Sequence, residues 1–117
     1  MERKLFKYRI LPEKVEQLHQ WMQTLNSRKE ELLQTIEHEK VYFENIFLLE
    51  EEGFQWLYFY MLADDIEFAL EQYAKGIFEI DRIHLGFAKE CIDFSYTAPD
   101  FKEMVYISRQ TDRIIND

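Results

Sequence analysis

Hydrophobic and polar residues alternate along three stretches of this 117-residue chain, and such alternation predicts β-strands. The first stretch is residues 3–10. The second, residues 41–62, carries eight aromatic residues among its 22 and is apolar on both alternating sides. Gly53 divides it into the two arms of a hairpin. The third stretch is residues 102–109, so the pattern predicts four strands in total.

Apolar residues recur at helical spacing in the intervening segments. Residues 13–37 carry a one-sided apolar stripe that is interrupted at Asn26-Ser27. Asp64-Asp65 can cap the next helix, and Gly76 separates it from a further helical segment. The order strand, helix, strand, strand, helix, strand predicts an α+β, ferredoxin-like fold. We expect a four-stranded antiparallel sheet with the helices on one face, in a single domain spanning residues 1–117.

The hairpin decides which side chains share a face of the sheet. A three-residue loop, Glu51-Glu52-Gly53, with glycine in the left-handed conformation, is a common hairpin closure. In that register Glu44 lies on the same face as Trp56 and Tyr58. The opposite face, directed toward the helices, then carries Asn45, Phe47 and Phe59. A two-residue loop would shift the pairing by one residue and mix the side chains of these two faces, so the three-residue loop is preferred.

Helices on one side leave the other side of the predicted sheet bare. A bare face with Trp56, Tyr58 and Tyr60 is larger than a monomer normally exposes. We therefore expect a homodimer in which two sheets stack through these faces. The last residues, QTDRIIND, either fray or dock through Ile114 and Ile115.

The chain resembles the dimeric α/β-barrel superfamily, and most closely a set of small uncharacterised bacterial proteins within it. The segments that carry the resemblance are KYRILPEKVEQLHQWM, HEKVYFENIFLLEEEGFQWLYFYM and IDRIHLGFAKECI. The superfamily includes cofactor-free monooxygenases, haem-degrading monooxygenases, muconolactone-isomerase-like proteins and sugar mutarotases. The resemblance implies a homodimeric α/β barrel and either cofactor-independent oxygenation or an isomerase or mutarotase step. Haem-degrading members use an Asn on the first strand, and KLFKYRI has none, which argues against that activity.

Composition narrows the classes of partner. The net charge of −9 argues against nucleic acid and against an anionic membrane surface, because both attract positive proteins. The single cysteine, Cys91, excludes an internal disulfide and a cysteine-cluster metal site. His19 and His38 have no second ligand at metal spacing, so no metal or cofactor is predicted. The amino terminus carries no long apolar segment, and a cytoplasmic protein is expected.

Two residues are candidates for catalysis. Glu44 lies in the middle of an apolar strand, where a carboxylate needs a partner or a raised pKa, so it is a candidate general base. The alternative is a structural ion pair with Lys7 or Arg9. His84 falls within the apolar stripe of the last helical segment, where it is either a satisfied core residue or a catalytic one.

Candidate ligand-binding residues fall into two possible pockets. One lies between the sheet and the helices and combines His84 with Asn45, Phe47 and Phe59. The other lies on the barrel face and combines Glu44 with Trp56 and Tyr58. In either pocket the rings could equally be structural.

The sequence leaves two classes of function open. The first is a small-molecule-binding protein or cofactor-independent enzyme, monooxygenase-like or isomerase-like. The alternative is a non-catalytic homodimer that binds a metabolite or a protein. Neither the substrate nor the presence of catalysis follows from the residues.

Overall fold

The computed structural model describes residues 1–109, so the two predictions for Ile114 and Ile115 lie outside the described residues. The regular elements of this part are β1 (Glu2–Arg9), α1 (Val15–Ser27), α2 (Lys29–His38), β2 (Val41–Glu51), β3 (Phe54–Ala63), α3 (Ile66–Lys75) and α4 (Glu79–Cys91). None of the helices in residues 1–109 is both long enough and apolar enough to cross a membrane.

The helices begin and end where the local sequence indicates. The side chain of Asp65 accepts a hydrogen bond from the backbone N–H of Phe68 at 3.0 Å and caps α3. Gly76 ends α3 with a φ of 61°, a left-handed conformation that glycine adopts without steric cost. The interruption predicted at Asn26-Ser27 is present but lies one residue later, at Arg28, because α1 ends at Ser27 and α2 begins at Lys29.

The three strands form one antiparallel sheet in the order β1-β3-β2. The prediction of a four-stranded ferredoxin-like sheet is therefore wrong, and so is the barrel that depended on it, although the α+β class is correct. Residues 102–109 form no strand. After α4, Ile92 makes a single bridge to Ile10 beside β1, and the carboxylate of Asp93 then accepts the backbone N–H of Ser95 in a turn. This turn ends the pairing with β1 before a strand develops.

The hairpin between β2 and β3 closes through two residues. Glu51 pairs with Phe54, and Glu52 and Gly53 have φ values of 54° and 80°. Two positive φ angles are typical of a type I′ turn, whose twist matches the twist of the strands. The predicted three-residue loop is wrong by one residue. Both faces of this hairpin are apolar, so the hydrophobic pattern does not distinguish one register from the other.

The corrected register moves the side chains of β2 to the opposite faces and leaves those of β3 on the predicted ones. Ile46 pairs with Phe59, and Phe59 belongs to the core between sheet and helices, so Glu44 faces the helices as well. Asn45, Phe47 and Tyr58 lie on the opposite side, which we call the outer face. The hydrophobic core lies between the sheet and the helices, and its large, fully buried members are Ile10, Leu18, Trp21, Leu57, Ile80 and Cys91.

The outer face is covered in part by the chain that follows α4. Tyr96 packs edge-on against Trp56 with 5.0 Å between ring centroids, and Phe101 lies 6.4 Å from Tyr58. Arg3 of β1 binds Glu103 at 2.8 Å. This segment, residues 93–106, therefore covers β1 and β3 without joining the sheet. It shields Trp56 in the place where a second copy of the chain was expected.

Candidate functional site

A cavity of about 880 Å³ lies between the sheet and the helices. Its walls are mostly apolar and include Trp21, Leu25 and Phe59. Exposed residues such as Leu48 and Leu33 line one part of it, and buried residues line another, so the cavity leads from solvent into the core. The volume lies within the range of pockets that bind small molecules.

His84 projects from α4 into this cavity and is held by Trp21. The indole Nε1–H of Trp21, a residue that is 0% exposed, donates to Nδ1 of His84 at 2.8 Å. An indole N–H can only donate, so Nδ1 is the acceptor and the neutral ring carries its proton on Nε2. Phe59 and Tyr73 pack against the same ring, at 6.2 and 5.0 Å between centroids.

The environment of His84 keeps its ring neutral. Burial lowers the pKa of His84 to about 4. The Nε2–H group has no hydrogen-bond partner among residues 1–109. His84 therefore offers the cavity a neutral, oriented hydrogen-bond donor at physiological pH.

Three carboxylates line the same cavity: Glu39, Glu44 and Asp81. Glu39 is 5% exposed and Asp81 is 3% exposed. Lys40, which has a φ of 59°, reverses the chain between α2 and β2 and so places Glu39 close enough to Glu44 for their charges to interact. Asp81 reaches the cavity from the first turn of α4.

Burial and mutual repulsion both favour the protonated forms of these acids. Burial, followed by the charges of Glu44 and Asp81, raises the pKa of Glu39 to about 8. Burial and the charge of Asp81 raise the pKa of Glu44 to about 7. Burial also raises the pKa of Asp81, against the opposing effects of the Phe78 backbone, His38 and Arg82.

Tyr73 completes the polar part of the cavity. Burial raises the pKa of its phenol, and so do the nearby charges of Glu44 and Asp81. The hydroxyl therefore stays protonated and can donate a hydrogen bond. In residues 1–109, no group of three or more His, Cys, Asp or Glu side chains is placed to hold a metal ion.

The structure combines the two predicted pockets in a different way. Glu44, His84 and Phe59 lie together in the cavity. Asn45 and Phe47 border it along the edge strand β2, but the register directs their side chains to the outer face.

Trp56 and Tyr58 also lie on the outer face, where the ammonium of Lys7 is 4.3 Å from the Trp56 ring centroid. The expected ion pair of Glu44 with Lys7 or Arg9 does not form, since those bases lie on the outer face. Cys91 is a buried free thiol, as predicted, and His19 and His38 are exposed, as predicted.

Sequence reasoning missed Trp21, Glu39, Tyr73 and Asp81. Asp81 had one available signal, because a residue three positions before His84 on a helix lies on the same face. Acidic residues are common in the first turn of a helix because they interact favourably with the helix dipole. An acid at this position therefore does not by itself indicate a functional site. Glu39 carried no signal, because its place depends on how the chain turns between α2 and β2.

Residues 1–113 match the model of a family of unknown function (DUF6176). The chain belongs to this family. No curated protein matches the chain. Membership in DUF6176 does not test the resemblance to the dimeric α/β-barrel superfamily, which stays a prediction.

Proposed function

We propose that this DUF6176 protein binds a small molecule in the cavity between sheet and helices and acts on it by proton transfer. The observation that carries the proposal is the meeting of Glu44 and His84 in one cavity of about 880 Å³. A general acid–base works best when its pKa lies near the working pH, and the pKa of Glu44 is raised to about 7.

The two groups have complementary roles in such a reaction. Glu44 in its carboxylate form accepts a proton from a carbon next to a carbonyl, or from a hydroxyl group, and returns it at another position. The Nε2–H of neutral His84 donates a hydrogen bond to the oxygen on which negative charge develops. The apolar walls limit the entry of water and strengthen both interactions.

An isomerase or mutarotase reaction is the activity that these groups support best. Such a reaction only moves protons, and the side chains of the cavity supply and accept them. Phe59 and Trp21 would pack against the body of the substrate. A cytoplasmic location is part of the same proposal, since a buried free thiol such as Cys91 persists in a reducing compartment.

Native mass spectrometry of gently purified protein is the first test of the proposal. We expect the wild type to retain a small molecule, and Glu44→Gln to retain less of it. Glu50→Gln is the matched control, because Glu50 is an exposed acid on the same strand. Activity is then measured on two probes: exchange of the α-protons of phenylacetone in D2O, and interconversion of the glucose anomers.

Loss of exchange or interconversion in Glu44→Gln, with Glu50→Gln unchanged, supports proton transfer by Glu44. A wild type that carries no extra mass and converts neither probe faster than Glu44→Gln contradicts the proposal. Circular dichroism confirms in each case that the variant is folded, so that a lost activity is not a lost structure.

A non-catalytic, homodimeric binding protein is a second candidate, and one observation favours it. Phe47 is 59% exposed on the edge strand β2, and Met104 and Ile107 are 80% and 87% exposed in the segment after α4. Exposed apolar residues of this size are typical of surfaces that contact a partner. The same mass spectrum counts subunits, and a dimer that Phe47→Glu converts to a monomer would place the contact on the outer face.

A further inference from the structure

The acids of the cavity form no ion pair in the described part of the chain. The ion pairs of residues 1–109 join other residues: Arg3 to Glu103, Arg9 to Asp93, Lys14 to Glu90, and Arg28 to Glu31 and Glu79. Glu39, Glu44 and Asp81 take part in none of them. Buried carboxylates are normally paired or hydrogen-bonded, so this arrangement needs an explanation.

Glu39 provides a second and independent sign of a missing partner. Its side chain is 5% exposed, it lines the cavity, and its Oε2 atom has no hydrogen-bond partner. Buried acceptors without a donor are rare in folded proteins. The free oxygen therefore points to a donor that a ligand supplies.

The other charged and titratable groups of residues 1–109 do not donate a hydrogen bond to the Oε2 atom of Glu39. His84 is neutral, and Tyr73 and Tyr8 are protonated phenols that face the acids from α3 and β1. The charges of His38 and Arg82 act on Asp81 and are not among the charges that shift the pKa of Glu39 or Glu44. Basic side chains also line the cavity where it is exposed, and none of them is among the charges that shift the pKa of Glu39 or Glu44: His19, Lys29 and Lys89.

A protonated primary amine matches this set of groups. An ammonium has three N–H donors and no acceptor, and Glu39 and Glu44 present carboxylate oxygens in the cavity wall. Its positive charge relieves the repulsion among the acids, which a neutral donor cannot do. The rings of Trp21, Phe59 and Tyr73 add cation–π attraction and apolar contact for the rest of the molecule.

We infer that the ligand of this cavity is a small molecule with a protonated primary amine attached to an apolar body, and that the ammonium binds Glu39 and Glu44. The inference rests on the proposed function, since it names the class of compound that the same cavity takes. Glu39 is then a binding residue, and Glu44 serves both binding and proton transfer.

Binding of such an amine releases protons. The pKa of Glu39 is about 8 and that of Glu44 about 7 in the empty cavity, so a fraction of each is protonated near neutral pH. The ammonium favours the carboxylate forms and lowers both pKa values. Affinity for the amine therefore rises between about pH 6 and pH 8, whereas affinity for a neutral analogue does not.

The test uses a chain with one tryptophan as its reporter. The sequence has two tryptophans, and Trp56 lies on the outer face, so Trp56→Phe leaves Trp21 in the cavity wall as the single emitter. The probes are 2-phenylethylamine, 2-phenylethanol and 3-phenylpropionate, which present an ammonium, a hydroxyl and a carboxylate on a similar body. Each is titrated at pH 6 and pH 8 by fluorescence.

We expect the amine to bind about tenfold more tightly than the alcohol at pH 8, which is the effect of a charge-assisted hydrogen bond, and the acid to bind most weakly. Calorimetry in phosphate and in Tris should show proton release with the amine alone. Glu39→Gln should remove the preference for the amine and keep the affinity for the alcohol. Glu37→Gln is the matched control, because Glu37 is an exposed acid on α2.

Equal affinities for amine and alcohol, without proton release, would overturn the amine inference and leave small-molecule binding in place. No change of Trp21 fluorescence with any probe would also overturn the inference. The proposed function is judged separately by the mass retained in the native spectrum. If Glu39→Gln does not fold, Glu44→Gln provides the same comparison.

Discussion

The two faces of the sheet differ in whether their charged side chains form ion pairs. On the outer face, the bases of β1 have partners: Arg3 binds Glu103 at 2.8 Å, and Arg9 binds Asp93 at 2.8 Å. On the helix-covered face, Glu39 and Asp81 are buried, Glu44 is half-buried, and none of the three forms an ion pair within residues 1–109. Paired charges near solvent hold the segment after α4 in place. Unpaired acids in the core reduce stability, and a feature that reduces stability is a sign of function.

The largest expected loss of stability comes from a substitution in the core on the helix-covered face. Trp21→Ala removes a side chain that is 0% exposed and deletes the donor to His84, and we expect it to lower the free energy of unfolding by about 3–5 kcal/mol. Phe101→Ala, on the outer face, removes a side chain that is 44% exposed and should cost about 1 kcal/mol or less. Urea denaturation measures both. Equal losses would mean that the outer segment is as much a part of the core as α1.

A second prediction compares how the stability contributed by an acid on each face depends on pH. The folded-state pKa of Glu44 lies above the ordinary value of 4.5, so the folded chain binds more protons than the unfolded chain between about pH 4.5 and pH 7. Stability therefore falls as pH rises through that window. Glu44→Gln should raise the free energy of unfolding at pH 8 by on the order of 3 kcal/mol, and by much less at pH 5.

The corresponding substitution on the outer face is Asp93→Asn, and we expect it to lower the free energy of unfolding, whereas Glu44→Gln raises it. Hydrogen bonds from Ser95 and Arg9 lower the pKa of Asp93. Its contribution to stability is present above its unfolded pKa and is lost as pH falls through the lower folded value. The substitution should therefore destabilise the chain at pH 7. If Glu44→Gln were no more stable than wild type at pH 8, the picture of unpaired acids in the core would be incorrect.

A third, smaller effect concerns His84 in acid. Burial lowers its pKa from 6.5 to about 4, so the unfolded chain binds more protons in this window and stability falls with falling pH. The expected loss from this group is about 2 kcal/mol between pH 7.5 and pH 5, and His84→Gln should remove it. Denaturation at the two pH values measures it. Nitrogen NMR should find the proton on Nε2, and a ring that titrates near pH 6.5 would contradict the structure.

The smallest effect belongs to the outer face. Lys7→Met keeps the length of the side chain and removes the charge above Trp56, and the loss of a cation–π contact should cost about 0.5–1 kcal/mol. Lys102→Met, at an exposed position in the segment after α4, serves as the control. Thermal or urea denaturation compares the two variants. Identical stabilities would show that the ammonium of Lys7 contributes nothing to the cover of this face.

Elements that depend on neighbouring residues could be predicted from the sequence. The cap at Asp65 and the glycine end of α3 at Gly76 appear where the sequence placed them, and the interruption between α1 and α2 lies one residue later, at Arg28. Each follows from backbone geometry and hydrogen bonds within a few residues. The alternation in β1 and in the hairpin is equally local, and these strands were predicted correctly.

Features that depend on distant residues could not be predicted in the same way. Residues 102–109 alternate as a strand does, yet alternation cannot supply a neighbour to pair with, and the turn at Asp93 directs the chain across the outer face. The register of the hairpin depends on whether a single residue, Glu51, belongs to the loop. Glu51 pairs with Phe54 and is therefore part of β2. That one step decided which face Glu44 and Asn45 occupy.

By itself, the sequence determined the α+β class, the helices, the first three strands, and the candidacy of Glu44 and His84. Only the tertiary structure decided that these two meet in one cavity with Glu39, Asp81 and Tyr73. The physical reason is that capping and periodicity act over one or two turns of chain. The charge interactions that raise the pKa of Glu39 join residues from α2, β2 and α4, and they exist only when those elements pack together.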